Sequence, residues 1–279
     1  MMIIWLASYP KSGNTWVRIF LSYMLSSEKT MDINRTKIYQ FPRRLNFEGI
    51  SKNIDDGNEF VRNCIYAQSK INLDNKYKIF KTHNAFWKNG NYSFTDLENT
   101  IGCIYIVRDP RNIITSIKNY YDFESYEEAL KFLRDDKNII GTLNKVRQGN
   151  DLPTIISSWK NHYNSWKKLK TNYLLIKYED MLIDPKKEFF KIINFIEKIS
   201  NIKFDNFKID NAISLCDFNN LQDIENKEGF VEASKNKLGN SIKFFNLGSE
   251  NKWQNLLSKE IIENIETSFK GEMTELKYL

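Results

Sequence analysis

The stretch Tyr9-Pro10-Lys11-Ser12-Gly13-Asn14-Thr15-Trp16 constrains this chain more than any other. Ahead of it lies the apolar run Met2-Ile3-Ile4-Trp5-Leu6-Ala7, of the kind that forms a strand buried on both faces of a parallel sheet. Behind it, Val17-Arg18-Ile19-Phe20-Leu21-Ser22-Tyr23-Met24-Leu25 places its apolar residues as the start of a helix does. A strand, a tight turn carrying Lys, Gly and hydroxyl groups, and then a helix make a phosphate-binding arrangement. Backbone N–H groups at the helix start point at an anion, and the lysine adds a full positive charge. The nucleotide-hydrolase loop has a different pattern, GxxxxGK[ST], with its Lys near the end. Here Lys11 precedes the turn's one glycine, and Trp16 closes it.

The same alternation recurs along the chain. Segments 2–8, 77–82, 101–107 and 172–177 read as strands. Helices are expected near 14–25, 56–71, 110–121, 125–134, 154–170, 185–197, 208–215 and 258–270. Short buried strands between helices imply an α/β class: one three-layer domain over 1–279, with a central parallel sheet flanked by helices. Segments 28–55, 135–153 and 219–252 are polar and read as irregular, and loops of that length are commonly lids or substrate walls.

Two further places carry chemistry. Cys103-Ile104-Tyr105-Ile106-Val107 runs into Arg108-Asp109-Pro110-Arg111-Asn112, where Asp109 can cap a helix and Pro110 suits its first turn. Arg108 then stands at the carboxyl end of a strand, where open parallel sheets bind ligands, and Ser116 follows two turns into the helix. A planar, permanently charged Arg and a hydroxyl can clamp a phosphate monoester, although an Arg–Asp pair at a helix start is the structural alternative. The other place is Tyr77-Lys78-Ile79-Phe80-Lys81-Thr82-His83, a strand ending in basic residues and in one of only two histidines. The second, His162, lies among Trp159, Tyr163 and Trp166 at helical spacing, which makes it a packed or hydrogen-bonded core residue.

Together these segments resemble the soluble, cytosolic-type sulfotransferases that use 3′-phosphoadenosine 5′-phosphosulfate (PAPS) and release 3′-phosphoadenosine 5′-phosphate (PAP). The resemblance implies a P-loop-like phosphosulfate loop formed by Lys11, Ser12, Gly13, Asn14, Thr15 and Trp16. It assigns the 3′-phosphate to Arg108 and Ser116, and it makes Lys-Thr-His the catalytic segment, with His83 as general base and Lys81 assisting at the sulfuryl group. A histidine titrating near neutrality can take the proton an acceptor hydroxyl must lose, and Lys11 and Lys81 would neutralise charge on the transferring group and the leaving oxygen. Lys11, Lys81, His83, Arg108 and Ser116 thus carry the chemistry, without a metal. Tyr178-Glu179-Asp180-Met181 with Pro185 matches another family segment and places the Tyr178 hydroxyl on the nucleotide. Phe218 and Trp16 would flank adenine. Near the C-terminus Gly248 and Trp253 fit the family pattern, but its Arg-Lys pair is replaced by Asn246-Leu247, which removes charge-assisted contacts to the 3′-phosphate.

The resemblance implies sulfuryl transfer to a hydroxyl or amine of a small-molecule acceptor. A P-loop kinase and an inactive nucleotide-binding protein are the alternatives. Segments 28–55, 84–95, 135–153 and 219–245 would enclose the acceptor, with Phe41, Phe47, Phe86, Trp87, Tyr120 and Tyr121 as aromatic lining or ordinary core. The 41 basic against 35 acidic residues leave +6, which suits an anionic cofactor but is too small and dispersed for nucleic acid. No apolar run approaches the roughly 20 residues of a transmembrane helix, and no basic segment of signal-peptide type precedes the first apolar stretch. Cys64, Cys103 and Cys216 are widely spaced without a CxxC or Cys/His pattern, as in a reduced compartment. The expectation is a cytoplasmic enzyme.

Overall fold

A computed structural model describes residues 2–27, 30–141 and 152–279. In chain order the elements are β1 (Ile3–Ser8), α1 (Asn14–Met24), α2 (Gly57–Asn72), β2 (Lys78–Thr82), the hairpin β3 (Lys88–Asn89) and β4 (Tyr92–Ser93), and β5 (Thr100–Val107). Next come α3 (Pro110–Tyr120), α4 (Tyr126–Arg134), β6 (Ile139–Ile140), β7 (Thr154–Ile155), α5 (Trp159–Lys167), β8 (Asn172–Lys177), α6 (Tyr178–Ile183) and α7 (Pro185–Ile199). The chain closes with α8 (Ile209–Leu215), α9 (Phe218–Glu228), β9 (Ser234–Lys235), β10 (Ser241–Ile242), α10 (Trp253–Leu256) and α11 (Lys259–Glu275).

The four expected strands form one parallel sheet in the order β2-β1-β5-β8. Side-chain alternation along β1 feeds two cores. Ile3, Trp5 and Ala7 pack on one face with α2, α4, α5 and α11, while Ile4 and Leu6 pack on the other with α1, α7 and α8. Every residue of β1 is buried, which explains its unbroken apolar run. Helix starts follow local chemistry: Asp109 Oδ1 accepts from Arg111 N at 2.9 Å ahead of Pro110, and Asp184 Oδ1 accepts from Lys187 N at 3.0 Å ahead of Pro185. The connections out of β1 and β5 run to opposite edges, so the switch point lies between their carboxyl ends.

Two expectations need correction. The helix expected at 154–170 begins at Trp159, because Thr154–Ile155 pairs with Ile139–Ile140 and Ser158 caps the helix. The segment 219–252 is regular over about half of its length. It holds most of α9, the β9–β10 hairpin and a short helical turn at 248–250. Most of 135–153, expected as a wall of the site, lies outside the described residues. Among the described residues no helix is long and apolar enough to cross a membrane.

Candidate active site

The turn after β1 reaches its shape through two left-handed residues, Lys11 at φ 65° and Gly13 at φ 101°. Gly13 is the N-cap of α1, and a Cβ there would lie 2.5 Å from the Tyr178 ring. Both conformation and space therefore demand glycine. Asn14 fastens the turn to the sheet, its Nδ2 donating to Leu6 O at 3.0 Å and to Ser8 Oγ at 3.2 Å. Ser12 is buried and its hydroxyl has no partner among the described residues. Trp16 meets Tyr178 edge-on at 6.1 Å and Phe189 at 5.5 Å, and its buried indole N–H is also without a partner there.

Lys11 extends its ammonium between two rings, 3.8 Å from the Phe244 centroid and 4.3 Å from that of Tyr120. Burial, reinforced by the nearby Arg108 charge, lowers its pKa to about 7. An anion placed beside it would restore its charge.

Arg108 links the two phosphate motifs. Its Nη1 donates to Lys11 O at 3.0 Å and to Ser116 Oγ at 3.3 Å, while its guanidinium lies 4.1 Å over the Tyr178 ring. Its Nε is buried and has no partner among the described residues. The structural alternative, pairing with Asp109, belongs to Arg111 instead: Asp109 holds Arg111 at 2.7 Å. Asn251 completes this corner, donating to Ser116 Oγ at 3.0 Å and accepting from Thr115 Oγ1 at 2.6 Å. Sequence reading passed over Asn251, because an asparagine some 135 residues from its partner carries no local signal.

At the end of β2, His83 places Nδ1 2.8 Å from Ser8 O and 3.3 Å from Ser8 Oγ. A carbonyl only accepts, so Nδ1 carries the proton and Nε2 keeps its lone pair. Burial and the Lys81 charge hold the ring's pKa well below its ordinary value, which keeps it neutral. His162 supports it from behind: Nε2 donates to His83 O at 3.1 Å, and Nδ1 accepts from Tyr105 Oη at 2.7 Å. Fully buried and with a pKa lowered to about 3 by burial, His162 has the core role expected of it.

Gly248 adopts φ 54°, and a Cβ there would lie 2.6 Å from the Phe218 ring, so the ring packs on bare backbone. Phe218 also meets Phe245 edge-on at 6.3 Å.

One cavity of about 1150 Å³ at the carboxyl ends of the strands gathers these residues. Lys11, Gly13, Asn14, Thr15, Trp16, Lys81, His83, Arg108, Ser116, Tyr178, Phe218 and Gly248 all line it. Of the expected site residues, Ser12 alone does not. The two readings of the aromatics divide: Tyr120 and Tyr121 face the cavity, whereas Phe41, Phe47, Phe86 and Trp87 belong to the aromatic core around Trp5, Phe94 and Trp166. Sequence reading also missed Glu232. Its Oε2 accepts from Thr15 Oγ1 at 3.1 Å, and its Oε1 lies 2.6 Å from Arg18 Nη2 and 3.5 Å from Lys81 Nζ. Burial alone would raise its pKa, but Lys81 and Arg18 outweigh burial and hold the carboxyl well below the usual carboxylate range. Nothing in the sequence separates it from the other acidic residues.

Comparison with known proteins gives a consistent result. The family model described as "Sulfotransferase domain" matches residues 3–277. Flavonol 3-sulfotransferase of Flaveria bidentis is 26% identical over 270 residues, covering 94% of this chain and 79% of that protein. The amine sulfotransferase of Oryctolagus cuniculus is 22% identical, covering 99% and 83%. Mouse sulfotransferase SULT7A1 complexed with PAP superposes with a TM-score of 0.57 at 19% identity, over 98% of this chain and 85% of that one. Retinol dehydratase in complex with retinol and PAP does so at 0.54 and 16%, over 97% and 81%.

Proposed function

From the chain's membership of the sulfotransferase domain family, we propose that it transfers a sulfuryl group from PAPS to a hydroxyl or amine of a small-molecule acceptor, with His83 as general base. The family assignment removes the ground for the kinase alternative. The observation that carries the reading is the joining of the two motifs by Arg108, which spans from the Lys11 carbonyl to the Ser116 hydroxyl. The unpartnered Arg108 Nε and Trp16 N–H, both on residues that line the cavity, are donors that fit an anionic nucleotide.

The donor supplies an activated sulfuryl group on a phosphate leaving group. His83, neutral and with Nε2 open, takes the acceptor's proton as the acceptor oxygen or nitrogen bonds to sulfur and the bond from sulfur to the bridging oxygen breaks. The electron pair of that broken bond stays on the bridging oxygen, where Lys11 and Lys81 stabilise the growing charge. Arg108 and Ser116 hold the 3′-phosphate, and Asn251, which donates to Ser116 Oγ and to Asn112 O, positions that hydroxyl so that its proton is left for the phosphate. Trp16 and Phe218 flank the adenine. The acceptor enters beside His83, Tyr120 and Tyr121.

Thermal unfolding with PAP, against ATP with Mg²⁺, tests the nucleotide assignment: PAP stabilises the protein if it is right, and stabilisation by ATP with Mg²⁺ alone refutes it. Labelled PAPS offered with panels of phenols, alcohols, amines and sugars then separates an active transferase from an inactive nucleotide-binding protein. A cytoplasmic location is part of the same proposal, as the setting for three buried free thiols.

A further inference from the structure

We propose that Glu232 is an internal occupant of the phosphosulfate site: its carboxylate holds the loop's donors in the cofactor-free protein and has to give them up when the cofactor's 5′-anion arrives. The inference rests on the PAPS reading and adds a residue that the resemblance does not assign. Thr15, whose hydroxyl donates to Glu232, is the second residue of α1, so the carboxylate sits at the amino end of that helix, where a phosphate group is expected. Lys81, its second partner, comes from a different element, the end of the neighbouring strand β2. Glu232 thus already spans the two elements that the 5′-phosphosulfate has to span.

The placement is built rather than incidental. Arg18 and Lys81, which face the carboxylate, are only 6% and 7% exposed. The backbone around Glu232 is pinned as well, with Tyr120 Oη donating to Glu232 O at 3.2 Å and Ser234 Oγ donating to Tyr120 O at 2.6 Å. A partly buried carboxylate and an incoming phosphosulfate cannot share Thr15 and Lys81, because like charges at contact distance beside buried cations repel strongly. Arg18 lies one turn further along α1 and offers Glu232 a cation to keep while Thr15 and Lys81 pass to the cofactor. Cofactor affinity is then the intrinsic affinity of the open site reduced by the fraction of molecules in which Glu232 has withdrawn. A merely structural tie between the 229–236 segment and α1 makes the opposite prediction, since weakening the tie would loosen the site.

Calorimetric titration of PAP and of adenosine 3′-monophosphate, which lacks the 5′-phosphate, into wild type, Glu232→Gln and Glu232→Asp decides between them. Glu232→Gln removes the charge and keeps hydrogen-bonding capacity towards Thr15 and Arg18. It should bind PAP about tenfold more tightly while its affinity for the 3′-monophosphate is unchanged. Glu232→Asp withdraws the charge by one methylene, guards against a folding failure of the first variant, and should show a smaller gain for PAP alone. Unchanged or weaker PAP binding in both variants, or an equal gain for both nucleotides, overturns the proposal while PAPS use stands. Failure of all three proteins to bind PAP overturns PAPS use and the proposal with it.

Discussion

His83 Nδ1 lies 2.8 Å from the carbonyl oxygen of Ser8, and this contact fixes which face of the imidazole can act as a base. With Nδ1 donating to the end of β1, Nε2 is the nitrogen left for an acceptor proton. His83→Ala should lower turnover by about 10²–10⁴-fold on any acceptor found, with PAP affinity retained. Because the ring's pKa is held below its ordinary 6.5 in the cofactor-free protein, the acid limb of kcat/KM should fall below pH 6.5. Near-normal turnover of His83→Ala assigns the base elsewhere.

His162 acts through His83, by donating to its backbone carbonyl. His162→Phe should cost about 1–3 kcal/mol of stability, since it removes the acceptor of the Tyr105 hydroxyl proton and the donor to the His83 carbonyl in the core. It should not introduce a new pKa into the rate profile. Denaturant melts paired with a pH–rate profile separate the two histidines, and a profile lacking one limb in His162→Phe would make it a proton carrier.

Lys11 gives PAP binding a pH signature. Its folded-state pKa of about 7 leaves the amine mostly neutral above that pH. A phosphate beside it favours the charged form and raises that pKa, so binding takes up a proton from about pH 7 upward and takes up none well below it. Titration at pH 8 in buffers of different ionisation enthalpy should show this uptake, and Lys11→Met should abolish it. Buffer-independent heats in wild type would place Lys11 away from the bound anion.

The glycines allow a comparison of strain with space. Gly248 and Gly90 both have left-handed φ, 54° and 58°, but a Cβ at Gly248 meets the Phe218 ring whereas one at Gly90 meets nothing within 4 Å. Gly90→Ala should cost about 1–2 kcal/mol, the conformational term alone. Gly248→Ala should cost more and also weaken nucleotide binding by displacing Phe218. Equal melting temperatures for the two variants would show that Phe218 yields without consequence.

Local chemistry made much of this legible in the sequence. The β1–loop–α1 unit and the Asp109–Pro110 helix start are each written in one short continuous stretch, and the apolar run of β1 reports its burial directly. Long-range or compensated features were hidden. Glu225 is an example: it faces inward from α9, where it accepts from Phe244 N at 2.7 Å and Phe245 N at 2.8 Å. A buried carboxylate at an inward position breaks the apolar periodicity of a helix, so 219–252 read as irregular. Glu232 and Asn251 reach partners more than a hundred residues away, and only the folded sheet brings those partners near. Phe41 and Phe47 were equally hidden, because the sequence left loop aromatics open as lining or core and only the fold places these two in the core.

The most direct measurement of the account is calorimetry of Arg108→Ala with PAP and with adenosine 5′-monophosphate, which lacks the 3′-phosphate. Arg108 is assigned to that phosphate, so the substitution should weaken PAP by about 2 kcal/mol or more through loss of a charge-assisted contact. The 5′-monophosphate should bind the variant and wild type alike. An equal loss for both nucleotides would contradict the account, leaving Arg108 as a structural brace between the Lys11 loop and α3.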